Sequence, residues 1–229
     1  MRRATGNDHL SGSLTDLMTS LMVIFVLLLV TKLNNQAGHR ESSVRYVLDR
    51  LNAHAQQFKD GEQIERQGDV IVIVIPERLM SFKQASADRG GAVLAQTGRE
   101  YLERHVPGWA NILCSPEARK TVDTIVVEGH SDTKSFSAAS DERTNEEKNL
   151  ELSQQRSMAV VADILGLLET TPEKGCFRDL LSATGRGDAH PLNVQDPYSP
   201  QNRRVQFKIR MRPDMAVDIS DSMGARVRD

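Results

Sequence analysis

Thr124-Ile125-Val126-Val127-Glu128-Gly129-His130-Ser131-Asp132-Thr133 decides the fold. Its first four residues are all β-branched and predict a buried strand. The strand then runs into glycine and a cluster of polar groups, which sets Asp132 at a strand end. Upstream, Val70-Ile71-Val72-Ile73-Val74-Ile75 is a continuous β-branched run stopped by Pro76. Such a run reads as a strand buried on both faces. Between the two, residues 92–105 predict a helix closed by Pro107-Gly108.

Downstream, residues 134–148 are polar and predict an exposed loop. A helix is expected from Leu150 to Leu168, with Met158, Val161, Leu165 and Leu168 on one face. A third strand lies near Leu180 to Thr184. A loop with Gly185, Gly187, Pro191 and Pro197 follows. The last strand alternates Val205, Phe207, Ile209 and Met211 against Gln206, Lys208 and Arg210. The order β-α-β-α-β-β predicts an α/β two-layer sandwich over residues 69–212, with right-handed crossovers.

The amino-terminal region is of a different kind. From Leu21 to Val30 every residue is apolar. As a helix, Leu14–Leu33 would rise roughly 30 Å and span a bilayer. The site after it best suited to cleavage, Asn35-Gln36-Ala37, lacks a small first residue, so the segment reads as a span and not a signal peptide. Arg2 and Arg3 flank one side and Lys32, Arg40 and Arg45 the other, so charge does not set its direction. Asp16 lies inside the span. A carboxylate there costs about 2.5–3.5 kcal/mol on insertion scales and marks a functional position by default. Ser13, Asp16, Thr19 and Ser20 share a helical face by three-and-four spacing. Residues 1–13 read as a polar tail and 213–229 as another.

Residues 34–68 read as a linker holding a helix. Val44, Leu48, Leu51, Ala55 and Phe58 step by four, three, four and three, a heptad seam. The seam suggests a parallel homodimer; packing on the chain's own domain is the alternative.

The chain has 229 residues and a net charge of -2, which points to no nucleic-acid partner. Cys114 and Cys176 precede the second and third strands. They lie at the same end of what reads as a mostly parallel sheet, so a bridge is accessible in an oxidising compartment; in the cytosol they would be free thiols. His130 has no second ligand at metal spacing, so no metal is expected. No supported pair of carboxylates or Ser/His/Asp set suggests hydrolysis, and the chain does not read as an enzyme.

Four motifs together resemble the OmpA-like, or OmpA/MotB-type, peptidoglycan-binding domain. They are Val127–Thr133, Asn149–Arg156, Gly185-Arg186-Gly187-Asp188 with Pro191 and Asn193, and Asn202-Arg203-Arg204-Val205. Ser131 stands where that family usually has Thr, and the loop before Asn149 is longer than usual. The resemblance implies that Asp132 takes the ammonium, and Arg156 the carboxylate, of a diaminopimelate unit in the wall. It gives Thr133, Asn149, Ser153 and Arg203 supporting roles.

Thr15–Met22 resembles the MotB-type stator helix. That resemblance implies ion translocation at Asp16, with Thr19 and Ser20 beside it. The translocated ion, proton or sodium, is cargo, and no cofactor is implied. Beyond Val23 the Asp16 face turns apolar, so a partner must complete any ion path. Within this superfamily the short amino-terminal stretch, the Leu14–Met22 run and the compact linker most resemble the B subunits of Zorya anti-phage defence. This implies a MotA/ZorA-like membrane partner, five copies around a dimer, with the wall-binding domain periplasmic. A flagellar stator subunit or a passive wall anchor are the alternatives.

Overall fold

The computed structural model describes residues 7–83, 92–133 and 142–212. The tail expected at 213–229 and much of the loop expected at 134–148 lie outside them. The chain divides into two compact units, Met1–Ser42 and Ser43–Asp229.

Helix α1 runs Asn7–Phe58 and contributes to both units. It begins inside the expected tail and passes through Asn34-Asn35 and Gly38, where the linker was expected. Each of these costs at most about 1 kcal/mol in a helix interior, too little to break a helix this long. Within the first unit, Thr15–Asn34 is long and apolar enough to cross a membrane. Every residue from 15 to 34 is exposed.

In the second unit, Val44, Val47 and Leu51 of α1 are fully buried in the domain's own core. This corrects the expected pairing seam: Val47, not Leu48, is the fully buried position between Val44 and Leu51, and the apolar face is covered by the chain itself. The helix ends through Lys59 at φ 54 and Gly61 at φ 89, left-handed conformations that stop it.

The elements that follow are β1 (Gln63–Gln67), β2 (Val70–Pro76), β3 (Phe82–Lys83), β4 (Val93–Leu94), α2 (Gln96–Leu113), α3 (Ala118–Thr121), β5 (Val122–His130), α4 (Glu142–Leu167), α5 (Lys174–Leu180), β6 (Leu181–Gly185) and β7 (Arg204–Met211). A five-stranded sheet has the order β1-β2-β7-β5-β6, and β3 pairs with β4 apart from it. Among the described residues of this sheet only β5 and β6 are parallel; β1, β2 and β7 make antiparallel ladders. The sheet is therefore mixed, where a mostly parallel one was expected.

One face of the sheet carries Ile71, Ile73, Ile75, Val205, Phe207 and Ile209 against α2 and α4, which gives the two-layer sandwich. Three expectations shift. Strand β1 adds an edge that its polar sequence, Gln-Ile-Glu-Arg-Gln, did not announce. Helix α2 continues through Pro107 and Gly108 because Trp109, Ala110 and Leu113 are all buried beyond them; that burial outweighs one lost hydrogen bond. Helix α4 starts at Glu142, and its buried face is Ser157, Val160, Ile164 and Leu168, while Met158 is 57% exposed. The sulfurs of Cys114 and Cys176 are joined, with Cα atoms 6.1 Å apart, tying the end of α2 to α5.

Candidate functional site

The site is built by strand register. Pro76 of β2 and His130 of β5 both stand opposite Arg204 of β7. The residues just beyond that row therefore meet: Glu77 after β2, Arg203 before β7, and Asp132 after β5. Arg203 bridges the two acids. Its Nη1 donates to Asp132 Oδ2 at 2.6 Å and its Nε to Glu77 Oε2 at 2.6 Å. Asp132 is only 6% exposed.

Arg156, in α4, faces the same place. Its guanidinium lies 5.3 Å from the centre of the Phe82 ring, a cation–π distance. It is half-buried, and its Nε is buried without a hydrogen-bond partner. Burial holds its pKa below the usual value; Glu77 and Asp132 act against that and Arg203 with it. Glu77, Met80, Phe82, His130, Arg156, Arg203 and Arg204 line a cleft of about 10 Å³, enough for about one water.

Two loops fix this strand end. Ser131 N–H donates to the Gly187 carbonyl at 2.9 Å, and Arg186 N–H to the Gly129 carbonyl at 3.0 Å. Thr133 N–H donates to the Pro197 carbonyl at 3.3 Å. Gly129 and Gly185 let α4 lie directly on the sheet. A Cβ on Gly129 would run into the Ser153 carbonyl, and one on Gly185 would stand 2.6 Å from the Ser153 hydroxyl.

The Ser153 hydroxyl is fully buried. It donates to the Leu150 carbonyl at 2.7 Å and accepts from Gly187 N–H at 2.8 Å. In this structure it fastens the glycine loop to the helix. Asn149, 2% exposed, is buried about two turns into α4. Asp132, Arg156 and Arg203 come together as expected positions of one cleft. Thr133 adjoins it with a buried hydroxyl that has no partner.

Four contributors had no role assigned from the sequence, although Glu128 and Asn202 lie within its motifs. Glu77 and Phe82 had no motif around them; only the β2–β7 register reveals Glu77. Asn202 ties the loop before β7 together. Its amide donates to the carbonyls of Asp196 and Pro197 at 3.0 and 3.1 Å, and its carbonyl accepts from Asn193 N–H at 2.9 Å. Glu128, 1% exposed, lies 2.6 Å from Lys208 Nζ, with His130 and Arg186 at 3.5 and 3.4 Å. Burial pushes its carboxyl up, but the His130 hydrogen bond and the Lys208 and Arg186 cations outweigh that and hold it at about 2. Arg204 is engaged structurally, donating to the carbonyls of Asn202 and His190.

On α1, Thr19 Oγ1 donates to the Thr15 carbonyl at 2.7 Å and Ser20 Oγ to the Leu17 carbonyl at 2.9 Å. Both hydroxyls keep their acceptor lone pairs beside Asp16. Among the described residues no group of three or more His, Cys, Asp or Glu is placed to hold a metal ion.

The sequence matches no family model and no curated protein. A crystal structure of a MotB-like protein from Desulfovibrio vulgaris has a similar fold. It shares 23% identity over 77% of this chain and 99% of that one, with a TM-score of 0.54. The periplasmic domain of Helicobacter pylori MotB is similar at 20% identity over 72% of this chain and 89% of that one, TM-score 0.47. The cell wall anchor of the T6SS from Pseudomonas aeruginosa is similar at 22% identity over 72% and 97%, TM-score 0.46. The architecture is thus one amino-terminal apolar helix followed by a mixed α/β domain with the fold of the first of these.

Proposed function

We propose that this chain is the wall-anchored B subunit of an ion-driven inner-membrane motor, and that its cleft holds the diaminopimelate of a peptidoglycan stem. Arg156 is the observation that carries the wall-binding reading. A half-buried guanidinium with a buried, partnerless Nε suits a carboxylate, which its planar fork takes with parallel bonds. The ligand's ammonium takes the place in front of Asp132 that Arg203 now fills. Arg203 withdraws as it enters, and the narrow cleft opens.

Co-sedimentation with cell-wall sacculi tests this. Full-length protein in detergent is expected to pellet with them, and an Asp132→Ala, Arg156→Ala variant to stay in solution. Undiminished binding by that variant overturns the assignment.

Peptidoglycan lies outside the inner membrane, so the sheet domain is periplasmic and the start of α1 cytoplasmic. Asp16 is then the ion-carrying carboxylate, with Thr19 and Ser20 offering oxygens beside it. The Asp16 face turns apolar beyond Val23, so a MotA/ZorA-like partner completes the ion path, and the resemblance implies five of its copies to two of this chain. The resemblance of the Leu14–Met22 run supports an output in Zorya anti-phage defence. An Asp16→Asn variant is expected to bind sacculi normally and to lose protection in a phage challenge. Full protection by that variant excludes ion-driven function, and motility genes beside this one would redirect the output to torque.

A further inference from the structure

A larger groove, about 820 Å³, adjoins the cleft, and Glu77 and Arg204 line both. Its size is that of a small-ligand site. It lies on the sheet face away from the helices: Val74 alternates with Ile73 and Ile75, which face the core. The apolar part of the wall is Val74, Pro76, Leu192 and Pro200, and Gln63 and Gln201 add amides.

The groove also holds a cation. Arg78 is exposed and donates Nη2 to the Asp60 carbonyl at 2.9 Å, which pins the guanidinium at the wall without neutralising it. No carboxylate of a described residue pairs with Arg78. It directly follows Glu77, so their Cα atoms are about 3.8 Å apart. Both residues line the groove, so an anion further along a ligand whose ammonium is seated at Asp132 can meet the Arg78 guanidinium.

This chemistry matches the part of a stem peptide that precedes its diamino acid. That part supplies a methyl group from alanine. It also supplies a free α-carboxylate, because the D-glutamate is linked through its γ-carboxyl group. We propose that the groove is a second subsite, which takes the L-alanyl-γ-D-glutamyl segment with its free carboxylate on Arg78. The inference rests on the cleft holding diaminopimelate.

Calorimetry on the full chain in detergent tests it with three ligands: free meso-diaminopimelate, L-Ala-γ-D-Glu-meso-diaminopimelate, and that tripeptide with the glutamyl carboxylate amidated. The acid tripeptide is expected to bind about tenfold more tightly than its amide, the worth of one charge-assisted hydrogen bond. Arg78→Gln should erase that difference and leave free diaminopimelate binding unchanged. Leu192→Ser, on an exposed loop, should weaken both tripeptides but not the free amino acid. Equal affinity for acid and amide in the wild type, with diaminopimelate still bound, overturns the subsite and leaves the cleft standing. Failure of all three ligands to bind overturns both.

Discussion

Arg203 is the residue whose role the structure alters most. The family pattern makes it a helper in ligand contact, but it bridges Asp132 and Glu77 at 2.6 Å to each. Hydrogen bonds to those acids hold its pKa up against the effect of burial. Under the proposed reading it stands in for the ligand's ammonium and competes with binding. Arg203→Ala should therefore tighten binding of the diaminopimelate tripeptide several-fold. It should also lower stability by about 1–3 kcal/mol, since two partly buried carboxylates lose their cation. A loss of affinity as large as that of Asp132→Ala would instead make Arg203 a direct ligand contact.

The element with most unmet polar chemistry is the junction of α1 with α2. His105 is fully buried, with Nε2 at 2.9 Å from Asp60 Oδ2 and Nδ1 at 3.9 Å from Glu62 Oε1. Tyr101 stacks on it at 4.2 Å, and His54 and Phe58 meet it edge-on. His54 Nε2, both Glu62 oxygens, the Tyr101 hydroxyl and His105 Nδ1 are all buried without hydrogen-bond partners. Arg104 Nη1 reaches Asp60 at 3.3 Å from the outside.

Burial first, and then His105, holds the His54 pKa below 6.5; burial does the same to His130. The unfolded chain therefore takes up protons near pH 6.5 that the folded chain refuses, so stability falls as the pH drops through that value. Glu128 adds a separate acid loss between 4.5 and about 2. Melting should drop between pH 7 and pH 5, by about 2–4 °C for each kcal/mol lost. His54→Phe, which keeps the ring packing, should shrink that drop. A wild-type melting temperature flat over the range would contradict this account of the junction.

At this scale the sequence was legible where periodicity was strong. The alternation of Val205, Phe207, Ile209 and Met211 places all four in the core. It misled where an apolar seam had two uses. Val44 and Leu51 fit a heptad and a domain-packing helix equally well, and only tertiary contact separates the two.

For the whole molecule, the glycine-marked motifs foretold the fold because each serves a close contact: Gly129 and Gly185 under Ser153, Asn202 inside its loop. Glu77 was not legible, since it acquires its role only when β2 and β7 pair across more than a hundred residues of chain. The chain divides at Ser42, and the helix Asn7–Phe58 contributes residues to both units.

The central claim is that the cleft reads both charges of a diaminopimelate. Co-sedimentation of the full chain with two walls tests it most directly, one with diaminopimelate stems and one with lysine stems that carry the ammonium but lack the carboxylate. The account predicts binding to the first and little to the second, because Arg156 finds no partner there. Equal binding to both, or preference for the lysine wall, would contradict it.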